Sequence, residues 1–339
     1  MDTVTDQTDD ILALEHLGKT FRVGFWGTKV QAVRDVSLTL KRGESLGYLG
    51  PNGCGKTTSI KCILSLIQPT TGKIRLFGAD PSDARARARV GYLPEAPYFY
   101  DYLKPTEVLD YVGKLYGLDA ATRKKRIPDL LDRLGLSHAM HRELRGFSKG
   151  MLQRVGIAQS LLSDPDLLIY DEPLSGLDPI GRKEVRELMA DLRRQGKSMF
   201  FSSHVLTDIE TLCDAVCILD RGKVVAQGRL SELLRTDKLE SEALVELPVD
   251  GLDAAQAHLL ALPGVECTEQ MGPVLRLRLP TDAVPALTAA VVELRATLRE
   301  LAQRRESLEE LFVQKAVHMS TDGQRAVPPS DPERPGRSA

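Results

Sequence analysis

Nowhere in this chain do about eighteen uncharged apolar residues run together, so no stretch is suited to cross a bilayer as a helix. Aromatic residues make up only 5% of the 339 positions, with a single Trp, which argues against a base-stacking platform for nucleic acid. Net charge is almost absent at a formal −2, so nothing draws the whole molecule toward a polyanion or a membrane surface. The five cysteines, at 54, 62, 213, 217 and 267, have neither zinc spacing nor a paired framework. Free Cys packs as a small hydrophobe, and a reduced, cytosolic protein is the expectation. The opening "MDTVTDQTDDILALEHL" is acidic and lacks the basic-then-apolar pattern of a secretory leader. Any membrane role is therefore expected to come through a partner.

What is present is alternation. Short β-rich runs alternate with helical patterns from about residue 11 to 228, which predicts an α/β domain with a largely parallel sheet. The clearest strands are "SLGYLG" (45–50), "DLLIYD" (166–171), "SMFFSS" (198–203) and "AVCILD" (215–220). Each ends at a polar or glycine-rich loop, the edge where such sheets hold ligands. "DRGKVVAQG" (220–228) reads as a β-hairpin turning at Arg221-Gly222. A mostly helical insertion is expected at about 100–165; its "RKKR" (123–126) reads as a solvated helix face, with lipid contact as the alternative. From about 240 the order becomes βαββαβ, that of a small α+β ferredoxin-like domain over 240–318. A last helix is expected from Ser307, where Ser307 and Glu310 have capping-box spacing. Residues 319–339 lack an apolar face and are expected to be disordered.

Two stretches have the look of anion sites. Gly50-Pro51-Asn52-Gly53-Cys54-Gly55-Lys56-Thr57, followed by Thr58, fits the P-loop pattern G-x-x-x-x-G-K-[ST] between a strand and a helix expected over 57–67. Its glycines let backbone N–H groups turn onto phosphates; Lys56 supplies positive charge and Thr57 a hydroxyl for Mg²⁺. Ser148-Lys149-Gly150 also runs straight into an apolar-periodic helix, "RGFSKGMLQRVGIAQSLL", as a helix N-terminus does when it meets an anion. "LLIYDEP" (167–173) delivers Asp171 to the sheet edge, suited to hold Mg²⁺, and Glu172 next to it, suited to act as a base on water. "SSHV" sets His204 at that same edge, with an ordinary structural His as the alternative. "GYLPE" ends in Glu95, a further oxygen for Mg²⁺ or its waters unless it is a loop carboxylate without a role.

The order "GPNGCGKTT", "YLPE", "FSKGMLQR", "LLIYDEP", "SGLDP", "SSHV" resembles the ATP-binding subunit of ABC transporters over residues 11–228, and the ATP-binding domain is expected to span 11–235. The resemblance implies a P-loop NTPase of ABC ATPase type with a helical subdomain, using ATP and Mg²⁺. It implies that residues 50–58 are the Walker A loop, Asp171 and Glu172 the Walker B aspartate and catalytic base, and His204 the γ-phosphate contact. Asp178 then belongs to the D-loop of a dimer interface, and Ser148 and Gly150 are signature contacts to phosphate bound on a second subunit. Lys149 and Met151 stand where the family usually has Gly and Gln, and Glu95 where it usually has Gln. Phe21 falls at the adenine-stacking place, with Phe25, Trp26 and a plain core aromatic as open alternatives.

The same resemblance implies a homodimer or pseudo-dimer, a separate polytopic permease, and a peripheral location on the inner face of the cell membrane. "GYLPE", "FSKGMLQR" and "SLEELFVQKA" look like the ATPases of ABC-2-type exporters. The alternative is a non-transport ABC ATPase acting on ribosomes, DNA or cofactor assembly. The near-neutral charge disfavours a nucleic-acid groove.

Overall fold

The computed structural model describes residues 9–24, 27–234, 240–248 and 252–303. Phe25, Trp26, the helix expected from Ser307 and the 319–339 tail lie outside them. The chain divides into two compact units between Leu230 and Ser231, near the expected passage from one domain to the next at 235–240.

The first unit begins with two long strands, β1 (Asp10–Val23) and β2 (Thr28–Lys41). Then come β3 (Ser45–Leu49), α1 (Lys56–Ile63), β4 (Thr71–Leu76), α2 (Ala84–Arg87) and β5 (Val90–Leu93). Three helices follow, α3 (Pro105–Leu115), α4 (Ala120–Arg133) and α5 (Lys149–Leu161), where the helical insertion is expected. β6 (Leu167–Asp171), α6 (Pro179–Arg194), β7 (Ser198–Ser203), α7 (Leu206–Leu212), β8 (Ala215–Asp220) and β9 (Lys223–Arg229) complete the run, and the short α8 (Leu230–Leu233) falls at the division.

Six strands form one sheet in the order β5-β6-β7-β3-β8-β9, parallel except for the β8–β9 hairpin. β3, β6 and β7 are buried at every position, as central strands covered on both faces must be. That is why they read as unbroken apolar runs. The β8–β9 turn is made at Arg221 and Gly222, with φ of 47° and 80°, the doubly left-handed turn that matches strand twist.

A second sheet, antiparallel in the order β2-β1-β4, was not separated from the parallel one by the sequence pattern. The reason is local. His16 and Asp35 sit at positive φ (52° and 58°), and register shifts interrupt the β1–β2 ladder, so apolar alternation is repeatedly broken. One core joins this sheet to α1 and the parallel sheet, packing Leu12, Leu17, Val36 and Leu40 with Ile60, Ile63, Ile169 and Phe200. The helix expected over 57–67 starts at Lys56 and stops at Ile63, where the chain turns through Ser65 at φ 56°.

The second unit contains β10 (Glu240–Glu246), α9 (Leu252–Leu260), β11 (Glu266–Met271), β12 (Val274–Pro280), α10 (Val284–Glu293) and β13 (Thr297–Gln303). Its strands pair antiparallel in the order β11-β12-β10-β13. In strand numbers within the unit this is 2-3-1-4, the ferredoxin-like arrangement. Ala243, Val245, Leu275, Leu277 and Leu279 form the inner face, packed with Leu259 and Leu287 of the two helices.

Candidate functional site

Parallel register brings four strand ends to one edge of the six-stranded sheet. Leu49 pairs with Ser203, Asp171 with Ser202, and Leu93 with Tyr170. The loops that follow these strands therefore begin side by side. This is the edge where open parallel sheets bind ligands.

After β3 the chain passes through the glycine-rich loop into α1. Gly53 and Gly55 have φ of 80° and 111°. A Cβ on Gly55 would lie 2.4 Å from the Ala32 carbonyl oxygen, so both the backbone angle and the close approach require glycine. Gly50 is confined too: a Cβ there would come within 2.4 Å of Leu219 O and 2.6 Å of Cys54 Sγ. Burial raises the Cys54 thiol pKa, with Lys56 opposing, so this cysteine stays a neutral packing group.

Lys56, only 6% exposed, donates from Nζ to Gly50 O at 2.6 Å and Pro51 O at 3.3 Å. The same ammonium is 3.3 Å from Glu172 Oε1. Glu172 Oε2 is 2.8 Å from His204 Nδ1. Glu172 Oε1 is buried and its only close partner is that lysine charge, since no hydrogen bond reaches it. Glu172 itself has a left-handed backbone, φ 50°, an uncommon conformation for a glutamate. Ser202 steadies the turn: its Oγ accepts from Glu172 N at 2.9 Å and donates to Asp171 Oδ1 at 2.6 Å. Asp171 is 1% exposed, and its negative charge, after burial, helps push the Tyr92 hydroxyl up to about 12.

The cleft over the loop has a volume of about 580 Å³. Asn52, Gly53, Gly55, Lys56, Thr57 and Thr58 line it from the P-loop side, and Glu95, Glu172 and His204 from the other strand ends. Ala32 and Ser175 also line it. Ala32, together with Ser202, was missed in the sequence. A serine ending the apolar run "SMFFSS" is the signal that could have found Ser202; Ala32 carries none.

Other expected residues lie elsewhere. Ser148 caps α5, its Oγ accepting from Met151 N at 3.2 Å. Ser148 and Gly150 are not among the residues lining the cleft. The Lys149 side chain lies across Gly176, where a Cβ would fall 2.5 Å from its Nζ, and Gly150 packs toward Leu177. The start of α5 thus rests on the 175–178 loop of its own chain. Asp178 occupies the N-cap position of α6 without a side-chain capping bond. Phe21 is half-buried on β1 opposite Val30, with the Lys19 ammonium 5.1 Å from its ring centroid, and does not line the cleft.

The oxygen donors suit a hard divalent cation. Among the described residues no three His, Cys, Asp or Glu side chains cluster to cage a metal. Thr57, Asp171 and Glu95 offer oxygen alone, which fits a Mg²⁺ that takes its remaining ligands from phosphate and water.

Comparison with known proteins agrees with this geometry. Residues 33–175 match the ABC transporter family. Over 302 residues the chain is 40% identical to an uncharacterized ABC transporter ATP-binding protein of Synechocystis sp., covering 88% of this chain and 82% of that protein. It is 36% identical over 271 residues to the Nod factor export ATP-binding protein I of Ralstonia nicotianae, covering 78% of this chain and 80% of that protein. A solved ATP-binding subunit of an ABC transporter superposes with a TM-score of 0.59 at 34% identity, covering 66% of this chain and 91% of that structure. With a P-loop, a buried carboxylate pair and a histidine gathered at one sheet edge, and with these relatives, the chain belongs to the ATP-binding, ATP-hydrolysing proteins of ABC transporters.

Proposed function

We propose that the cleft over residues 50–58 hydrolyses ATP with Glu172 as the general base and powers an ABC-2-type exporter. The observation that carries this reading is the Glu172 carboxylate held between Lys56 Nζ at 3.3 Å and His204 Nδ1 at 2.8 Å. The P-loop N–H groups and Lys56 bind the β- and γ-phosphates, and Asn52 and Thr58 complete the cradle. Glu172 orients a water and takes its proton as the water oxygen attacks the γ-phosphorus. The bond to the bridging oxygen breaks, leaving ADP and phosphate, while Lys56 and His204 offset charge on the γ-oxygens. Thr57, Asp171 and Glu95 would hold Mg²⁺, which when bound neutralises phosphate charge. Glu95 and Glu172 line the cleft with Lys56, and Asp171 lies buried behind Ser202, so a cation there would offset carboxylate as well as phosphate charge.

Two chains work as a pair in this reading. Ser148 and Gly150 do not line their own cleft, so a phosphate contact from them calls for a second copy or a close relative. No described helix is long and apolar enough to cross a membrane, so a separate polytopic permease supplies the pathway and holds this subunit at the inner face of the membrane. Export is supported by the similarity to a Nod factor export ATP-binding protein.

Glu172→Gln tests the chemistry. ATP turnover is expected to fall by about 100-fold or more with ATP still bound; turnover within twofold of the parent would reject Glu172 as the base. In mixed pairs, a Ser148→Ala chain and a Lys56→Ala chain should together retain one intact site. Activity no higher than that of either variant alone would reject the shared site. Co-purification with a polytopic membrane protein checks the transport assignment, and recovery on ribosomes or DNA instead would overturn it.

A further inference from the structure

One buried charge of the first unit has no part in the steps above. Asp208 lies on α7, one turn beyond His204, and is 1% exposed. Neither of its carboxylate oxygens has a hydrogen-bond partner. Its nearest cation is Arg186 of α6, with Nη1 3.7 Å from Oδ1, a contact too long to satisfy a buried carboxylate. Arg182, one helical turn earlier on α6, also has a buried and unpartnered Nε. The charges facing Asp208 are Arg182 and Arg186 from α6, Glu172 beyond β6 and His204 beyond β7. Burial pushes the Asp208 carboxyl up, and the two arginines oppose that shift.

A buried carboxylate so poorly bonded costs desolvation energy, and removing it alone would leave the arginines beside it without their counter-charge. Its position gives it a use. α7 carries His204 at its entrance, and α6 begins directly after the 175–178 loop, which supplies Ser175 to the cleft. Asp208 is where the charge of one helix meets that of the other.

We infer that Asp208 is a positioning residue: its attraction to Arg182 and Arg186 ties the entrance of α7 to α6, and so holds the His204 ring against Glu172 while the 175–178 loop stays seated. The inference rests on the role proposed for His204. It assigns Asp208 no contact with nucleotide or water, so its removal should act on turnover and not on binding.

The test is steady-state ATP turnover and equilibrium ATP binding on the full chain, for Asp208→Asn, His204→Ala and the double variant, with Arg186→Gln as a second single change. Asp208→Asn is expected to lower kcat on the order of tenfold, the scale of a small misplacement of a catalytic group. The Kd for ATP should stay within about twofold, because the P-loop contacts are untouched. Arg186→Gln, altering a partly exposed side chain, should lower kcat in the same direction should Asp208→Asn fail to fold. In the His204→Ala background the Asp208 change should have no further effect. An equal loss in both backgrounds would show that Asp208 does not act through His204 and would overturn the inference. Parental kcat for both Asp208→Asn and Arg186→Gln would overturn it as well. If His204→Ala itself turns over at the parental rate, the reading of the site fails first and the inference with it; if only His204→Ala is slow, the site reading stands and the inference alone fails.

Discussion

The two units bury very different things. The first hides Lys56, Asp171, Glu172 and Asp208, each under 9% exposed, around one edge of its sheet. In the second, the only buried polar side chain among the described residues is Ser241, whose Oγ lies 2.9 Å from Thr281 Oγ1. Both have well-packed apolar cores, so packing alone does not require buried charge. Desolvating an ion costs several kcal/mol that packing does not return. Where a fold accepts that cost repeatedly along one edge, chemistry is the reason. Among its described residues the second unit buries no charged side chain.

The contrast can be broken in a graded way. The largest effect is expected from Lys56→Ala, which removes the cation facing phosphate and leaves Glu172 Oε1 without its charge partner: ATP turnover should fall by about 100-fold or more in a steady-state assay. Turnover near the parental value would dissolve the distinction between the units. A chain ending at residue 234 should still hydrolyse ATP within about threefold of the full chain. A much larger loss would mean that the second unit supplies something to the site. Leu277→Ala, in the inner face of β12, should cost the second unit about 2–5 kcal/mol in denaturant unfolding without altering turnover. The smallest change is expected at Asp164, exposed on the first unit, with Oδ1 2.6 Å from Lys197 Nζ. That lysine holds the Asp164 carboxyl below the usual carboxylate range. Because the folded value is depressed, the pair stabilises at pH above the ordinary carboxylate range and loses that contribution as pH falls through the folded value. Solvent screening keeps it small, and Asp164→Asn should cost less than about 1 kcal/mol at neutral pH and less still in acid.

Sequence made some of this visible and hid the rest for physical reasons. The P-loop could be read because its mechanism is local: Gly53, Gly55, Lys56 and Thr57 lie within one turn and one helix start. β3, β6 and β7 were legible because a strand covered on both faces is apolar at every position. β12 was legible for the opposite reason, since "VLRLRL" alternates toward one covered face. The β2-β1-β4 sheet escaped because bulges at His16 and Asp35 break the alternation that would have announced it. Asp208 escaped because its meaning depends on Arg182 and Arg186, which reach it only when α6 packs on α7. The rest of the Lys149 side chain across Gly176 was hidden because it depends on a loop 27 residues further on.

The left-handed backbone of Glu172 has a consequence for anyone seeking a hardier version of this protein. Glycine adopts that angle at no steric cost, and its substitution there would also delete a buried carboxylate. A selection for heat resistance alone would meet two opposed effects at position 172, relief of the backbone angle and loss of the counter-charge of buried Lys56. Any variant it kept there would survive by ceasing to work. Any such campaign needs ATP turnover as a gate in every round. Without it, a variant that only relieves that angle would pass for an improvement.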